Sequence, residues 1–457
     1  MINDDKFWEI PSSIDLEGFI KKHPPDFKYK IDHFYFIIEY LAKGMEQGDL
    51  GQNLGFINTN SVILQKRIKN YKQYLDHMLE YGFIRTDMEY IPGVKSKGYL
   101  ISGRNNVETT INLIPIQTFV ARKNRKKDNK KRIAKNKATE KDYPHLTKWF
   151  NAKLKIDSRN AKMKLNELFP VQTGSIKGTK KGEASRYTKR IKALYSIKKL
   201  ENQNFYYNVD DNVGRFHSNL TNIKKELRNY ITYDGKKLVN IDIKNSQPFF
   251  STLLFNPAFY EEKSEIINIY NIPSSIKLLS NNSSYSQSLS TIIMLGKTLQ
   301  NTDYKEYKEY LNMVDSGSFY LQLHTKLYPE LPFNKRKLKE IIFVVFFSSN
   351  RFIGQPQAQI KRDFRDAFPE VYKIFALIKK KNYKTLSHLL QHIESEMVIE
   401  RVTKRISLEQ PELPIFTIHD SVVTIQGSEN YVARIIKEEV KKATGLDVKL
   451  GLEFWNP

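Results

Sequence analysis

The sequence predicts an α+β protein made of a small N-terminal unit and a larger C-terminal one, and three observations predict it. From about Ile31 to Ser102, an apolar period of helical spacing is followed by two strand-like runs. From Arg122 to Lys137 the chain is nearly all cationic and has no apolar period. From Tyr143 to Pro457, helical and strand signals mix without an internal repeat, and near the end "PIFTIHDSVVTIQG" sets alternating apolar residues either side of His419, Asp420 and Ser421.

Composition narrows the partner. The 457 residues carry a formal charge of +24, from 74 Lys+Arg against 50 Asp+Glu, and 12% are aromatic. Cations meet phosphates and rings stack on bases, so nucleic acid is the expected polyanion. There is no cysteine, which excludes disulfides, thiolate metal sites and cysteine nucleophiles. No stretch approaches about 18 uninterrupted apolar residues, and "MINDDKFWEI" lacks the basic start and apolar middle of a signal peptide. A soluble, intracellular protein is expected.

In the N-terminal unit, "SVILQKRIKNYKQYLDHMLEYGFI" places Ile68, Leu75 and Leu79 at helical spacing and ends near Gly82, a residue that commonly stops helices. "FIRTDMEYIPGVKSKGYLIS" then reads as two strands around a Pro-Gly turn and a Lys-rich loop. Helix followed by basic hairpin resembles a winged helix, which reads a major groove and touches the backbone with its wing, or else binds protein. The cationic stretch "RKNRKKDNKKRIAKNK" repels itself and has nothing to bury, so it reads as a solvated linker or a tether that grips nucleic acid. "SIDLEGF" offers Asp15 and Glu17 in an Asp-x-Glu pattern, but the small unit that follows leaves no room for the other acidic motifs of an exonuclease.

Two carboxylates occupy similar settings far apart in the chain. "KKLVNIDIKNSQPFFSTLL" puts Asp242 at the end of an apolar strand, where the sheet holds its stem and solvent reaches its head. Asp420 sits at the tip of the late hairpin, a position that also suits an ordinary turn former. If the two strands are neighbours, the carboxylates share a pair of divalent cations about 4 Å apart. Mg²⁺, a hard ion, takes such oxygen ligands, and Mn²⁺ is the alternative. Between them, "NKRKLKEIIFVVFFSSN" repeats Lys335, Lys339, Phe343 and Phe347 at four-residue steps. That stripe suits a nucleoside triphosphate, phosphates at the cations and base at the rings, and it also suits a buried helix with a polar first turn.

In this order, the motifs resemble the family A polymerases of the bacterial polymerase I type and the related single-subunit phage-type RNA polymerases, over roughly Gly214 to Trp455. The resemblance implies a right-hand core of palm, fingers and thumb and a two-metal nucleotidyl transfer. Asp242, the carbonyl of Ile243 and Asp420 would be metal ligands. Lys339 would act on the leaving pyrophosphate, and Lys335, Lys339, Phe343, Phe347 and Gln247 would contact the incoming nucleotide. "GRFHSNLTNIKKELRNYI" would bring Arg215 and Arg228 to the primer-template, as would Gln391 in "LSHLLQHIESEMVIERV" and His419 of the His-Asp pair.

This chain departs from the pattern at several positions. Gln247 stands where the DNA enzymes carry Glu, and Ser421 and Phe343 look like the RNA and DNA enzymes respectively, while Phe347 lacks the hydroxyl of the usual Tyr. DNA synthesis is favoured because a bulky Gln247 still blocks a 2′-hydroxyl. RNA polymerase, primase-like and template-independent activities are alternatives, as is a non-catalytic DNA-binding replication initiator or regulator. The expected map is a tail at 1–24, the winged-helix-like unit at 25–112, a basic linker at 113–142 and the polymerase-like part at 143–457. Within the last, the thumb is expected at 143–210, the palm at 211–260 and 392–457, and reduced fingers at 261–391. Such an architecture suits a phage, plasmid or defence element.

Overall fold

The computed structural model describes residues 6–47, 56–88, 96–102, 110–170, 181–272 and 283–457. Its first third holds strands β1 (Phe7–Pro11), β2 (Ile57–Asn58), β3 (Ile84–Thr86), β4 (Gly98–Ile101) and β5 (Ile111–Pro115). Interleaved with them are helices α1 (Leu16–Lys22), α2 (Ile31–Gln47), α3 (Ser61–Arg67), α4 (Tyr71–Glu80) and α5 (Phe119–Asp142). Strands β2, β4 and β3 form one antiparallel sheet in that order, and β1 pairs with β5 from Phe7↔Pro115 to Pro11↔Ile111. The core is the face of α2 that carries Phe34, Ile37, Ile38 and Leu41, whose helical spacing buries all four on one side.

Three expectations change here. The tail expected over 1–24 is folded: Trp8 and Ile10 are buried, and the Trp8 indole donates to Asp32 at 2.8 Å. Asp15 caps α1 by accepting from the Gly18 amide at 2.8 Å, and Glu17 accepts from the Tyr35 hydroxyl at 3.0 Å, so both acids do structural work. The single helix expected around Ile68 is two, because Ile68 takes extended backbone at φ −134° and ψ 106°. Gly82 does follow the second helix, at φ 69°, a conformation that favours glycine. The Pro-Gly turn and the start of the Lys-rich loop, at 89–95, lie outside the described residues.

The third change is the linker, which is instead the 24-residue helix α5. Hydropathy misses it because its docked face is polar. Arg125 forks onto Glu39 of α2 with contacts of 2.5 and 2.6 Å and also donates to the Phe7 carbonyl at 2.8 Å. Further along the same stripe, Arg132 bonds to Asn204, Asn136 donates to the Phe205 carbonyl at 3.0 Å, and Glu140 accepts from the Tyr207 hydroxyl. The outward face keeps like charges at four-residue spacing: Lys123 with Lys127, Lys126 with Lys130, Lys127 with Lys131, and Lys137 with Lys141. Each such pair costs about 0.2–0.5 kcal/mol, less than a hydrogen bond to a charged group supplies at about 1.5–3 kcal/mol. The inner stripe therefore holds the helix.

The remainder carries strands β6 (Leu154–Ile156), β7 (Tyr207–Val209), β8 (Phe216–Ser218), β9 (Ile231–Tyr233), β10 (Lys236–Ile243), β11 (Ile415–Ile418), β12 (Ser421–Ile425) and β13 (Leu450–Phe454). One antiparallel sheet runs β11-β12-β10-β9-β6, with β13 also on β10, and β7 pairs separately with β8. On one edge, β10 meets β12 from Leu238↔Ile425 to Asp242↔Ser421; on the other it meets β9 at its start and β13 from Val239↔Phe454 onward. The consecutive burial of Leu238, Val239, Asn240 and Ile241 marks β10 as a central strand covered on both faces.

Helix Glu429–Thr444 lays Val432, Ile435, Ile436 and Val440 against β10 and β12. At about 1.5–3 kcal/mol for each buried side chain, this face holds the helix on the sheet. Helix Lys384–Ser395 continues through a π-helical segment, Glu396–Thr403, into Lys404–Glu409, and it packs on the short helix Ser246–Ser251 that follows β10. The molecule is thus mixed α and β, as expected, with helices Phe319–Leu327, Lys335–Phe347 and Gln359–Ala367 grouped beside that layer. No helix among the described residues is long and apolar enough to cross a membrane.

Candidate active site

The sheet brings the two carboxylates to the same end of neighbouring strands. Asp242 is the penultimate residue of β10 and pairs with Ser421, while the amide of Ile243 lies 3.4 Å from the carbonyl of Asp420. Asp420 occupies a two-residue turn between β11 and β12 that the chain enters through His419 at φ 56°. After Ile243 the chain turns sharply at Asn245, φ 55°, into helix Ser246–Ser251, which lifts the backbone away from the Asp242 head. Burial, and then the charge of Asp420, hold the Asp242 carboxyl above its ordinary range. Neither Asp takes part in an ion pair among the described residues.

This donor set fits a hard divalent cation. Two carboxylates and a strand-end carbonyl are all oxygen, and like charges left side by side without an ion-pair contact are stabilised by a bound metal; Lys225 attracts Asp242 only through space. A third carboxylate, Glu453, acts on Asp242 through space, but it is tied to Lys225 at 2.9 Å. Among the described residues no three His, Cys, Asp or Glu side chains gather as a ready-made cage, so any cation here would keep water or substrate ligands, as Mg²⁺ commonly does.

Gly451 on β13 sits directly beside Asp242, and a Cβ there would lie 2.4 Å from Asp242 Oδ1. The atom in the way is the tip of a mobile side chain, so Gly451→Ala displaces the carboxylate and leaves the strand in place. We expect the variant to unfold within about 1 kcal/mol of the parent in urea; if Asp242 is a metal ligand of a nucleotidyl transfer, incorporation drops about 10- to 100-fold, the effect of an error near 1 Å in a catalytic group. Equal losses of stability and turnover would refute the placement.

Behind the carboxylates lies a network that sequence reasoning missed. The Ser246 hydroxyl is 2.6 Å from Asp420 Oδ2 and 3.1 Å from Glu394 Oε1, and Glu394 is ion-paired with Arg215. Glu394 is 2% exposed. Burial outweighs the attraction of Arg215 and pushes its carboxyl up to about 7. The signal was available in the sequence: Glu394 interrupts the apolar stripe of Leu386, Leu390, Ile393 and Met397 on its helix. Tyr320 also lies within electrostatic reach of Asp420, its hydroxyl raised to about 12 by burial and then by that charge.

Arg215, expected at the primer-template, is the partner that anchors Glu394. Arg228 ends helix Lys225–Arg228, half-buried, with Nε unpartnered among the described residues. Gln391 is half-buried one helical turn before Glu394, and Gln247 is half-buried in the first turn after Asn245. His419 keeps surface open to solvent although protein atoms surround its ring. Desolvation, followed by the charges of Arg215, His217 and Arg228, lowers its imidazole to about 4.

Helix Lys335–Phe347 buries Leu338, Ile341, Ile342, Val345 and Phe346 and turns the other face outward. Lys339 is exposed, Phe343 is 55% exposed, and the rings of Phe343 and Phe347 stack with centroids 4.6 Å apart at 12°. The Lys335 side chain lies outside the described residues. Two buried lysines secure the far end of this helix: Lys379 donates to the Val345 carbonyl at 2.5 Å, and Lys361 donates to the Ser349 carbonyl at 2.7 Å. Desolvation brings them down to about 7 and about 8 respectively. An exposed stripe on a helix anchored this firmly is a surface, and the buried-helix reading holds for its other face.

No family model matches the chain, and no curated protein does. Among solved structures, the POL domain of Pol1 from M. smegmatis, in complex with DNA primer-template and dNTP, aligns with 68% of this chain and 69% of its own, at 10% identity and a TM-score of 0.35.

Proposed function

We propose that this protein is a nucleotidyltransferase that extends a 3′-hydroxyl from nucleoside triphosphates on a nucleic-acid template, with DNA synthesis favoured. The observation that carries the proposal is the meeting of Asp242 and Asp420 at one sheet end, unpaired by any described cation. Two Mg²⁺ ions, or Mn²⁺, held by Asp242, the Ile243 carbonyl and Asp420 would supply an activated hydroxyl and a stabilised pyrophosphate. Lys339 neutralises and protonates the leaving pyrophosphate, and the stacked Phe343 and Phe347 present a platform for the base. Gln247, in the turn above Asp242, stands against the sugar and excludes a 2′-hydroxyl. Arg215, Arg228, Gln391 and His419 would contact the primer-template, Arg215 while also holding Glu394.

In this reading, the sheet around β10 belongs to a palm at 211–260 and 392–457, and the helices within 261–391 are small fingers. The family A assignment rests on the ordered motifs. The run of α2, β2, α3, α4, β3 and β4 supports a winged helix in front of the core. The test is extension of a labelled primer on a DNA template with Mg²⁺, comparing dNTPs with NTPs and including a template-free control. We expect template-directed addition of dNTPs. Tight DNA binding without extension under any of these conditions would replace the proposal with a non-catalytic initiator or regulator.

A further inference from the structure

We propose that the outward face of α5 is a rail for the phosphate backbone of duplex DNA. The helix has 24 residues, so it is about 36 Å long, close to one turn of duplex at about 34 Å. Its inner stripe is fully committed: Arg125 holds it to α2 at one end, and Asn136 and Glu140 hold it to the Phe205–Tyr207 segment at the other. It therefore bridges the two units of the chain as a fixed strut.

The outward face has no such partner. Lys126, Lys127, Lys130 and Lys131 are exposed and make no ion pair among the described residues. Glu140 and Asp128 do not neutralise them, because Glu140 is bonded to Tyr207 and Asp128 is paired with Arg67 of α3. With Lys123, Lys137 and Lys141, also exposed, the row of like charges runs about 27 Å along the rod, and a partner that relieves the repulsion must present regular negative charge over that length. A duplex does so, with about one phosphate per 1.7 Å of axis. Contacts of this kind carry no base information, so the rail sets position and grip.

The inference uses the polymerase reading only to say what the duplex is for; the binding itself stands apart from catalysis. The experiment is fluorescence anisotropy of the full chain with a labelled 20-base-pair duplex of arbitrary sequence, titrated at several NaCl concentrations. The variants are K126Q/K127Q/K130Q/K131Q and the corresponding four-fold Lys→Arg protein; Gln keeps helix propensity, which circular dichroism checks.

We expect the Gln variant to bind at least about 10-fold more weakly at 100 mM salt, with a salt slope shallower by about 3 to 4, near 0.9 for each lost phosphate contact. The Arg variant should bind like the parent. Unchanged affinity and slope in the Gln variant, or equal loss in the Arg variant, would overturn the rail, as would stronger retention on phosphatidylserine vesicles than on the duplex. Failure of primer extension with the slope change intact would remove the polymerase reading and leave the rail standing.

Discussion

Asp420→Asn is expected to lower nucleotide incorporation by more than about 100-fold while making the metal-free protein slightly more stable. The first effect follows from removing a ligand charge, since even the groups that support metal ligands are worth about 10- to 100-fold. The second follows from the geometry: Asp242 carries a raised carboxyl because it is buried beside Asp420, so neutralising Asp420 relieves the repulsion. Asn keeps the acceptor for Ser246. Asp242→Asn should behave alike.

Opposite signs in the two measurements separate a functional carboxylate pair from a structural one. Thermal unfolding in EDTA and single-nucleotide extension, run on the same preparations, provide both. Retained incorporation in either variant would sink the two-metal reading, and a drop in melting temperature matching the loss of activity would reassign the pair to fold stability.

What the sequence disclosed and what it hid follow one physical division. Asp242 and Asp420 were legible because each sits where an apolar strand gives way to a turn, a pattern written in adjacent residues. The exposed stripe of Lys339, Phe343 and Phe347 was legible for the same reason, since four-residue spacing specifies a face, although not which way it points. Helix α5 was not, because its docked face carries Arg125, Arg132 and Asn136, and polar residues at helical spacing leave no trace in a hydropathy pattern. Ser246, Glu394 and Gly451 were hidden by distance along the chain. The bond from Ser246 to Glu394 joins residues 148 positions apart, and Gly451 matters through the strand beside it.

Glu394 carries the second large effect. The Ser246 hydroxyl has one proton and faces two carboxylates, Asp420 and Glu394. If both are ionised, one acceptor goes without. If Glu394 is protonated, it donates to Ser246, Ser246 donates to Asp420, and the other Glu394 oxygen still accepts from Arg215, so the chain is satisfied end to end. Burial favours that state by raising the carboxyl to about 7 from an ordinary value of 4.5.

The folded protein then binds more protons than the unfolded one between those values. The stabilisation is complete below about pH 4.5 and is lost as pH rises through 7. Glu394→Gln reproduces the protonated form, with an amide to donate and a carbonyl to accept, so it should fold as well as the parent at pH 5 and lose that pH dependence. Glu394→Ala instead removes the acceptor of the Arg215 guanidinium, whose Nε already lacks a partner among the described residues, and should cost about 1.5–3 kcal/mol at pH 5. Urea unfolding of the three proteins from pH 5 to pH 8 measures this. A Gln variant as unstable as the Ala variant, or one that keeps the parent's slope, would show that Glu394 works as a fixed negative charge for Arg215 and that the proton has no part in positioning Asp420.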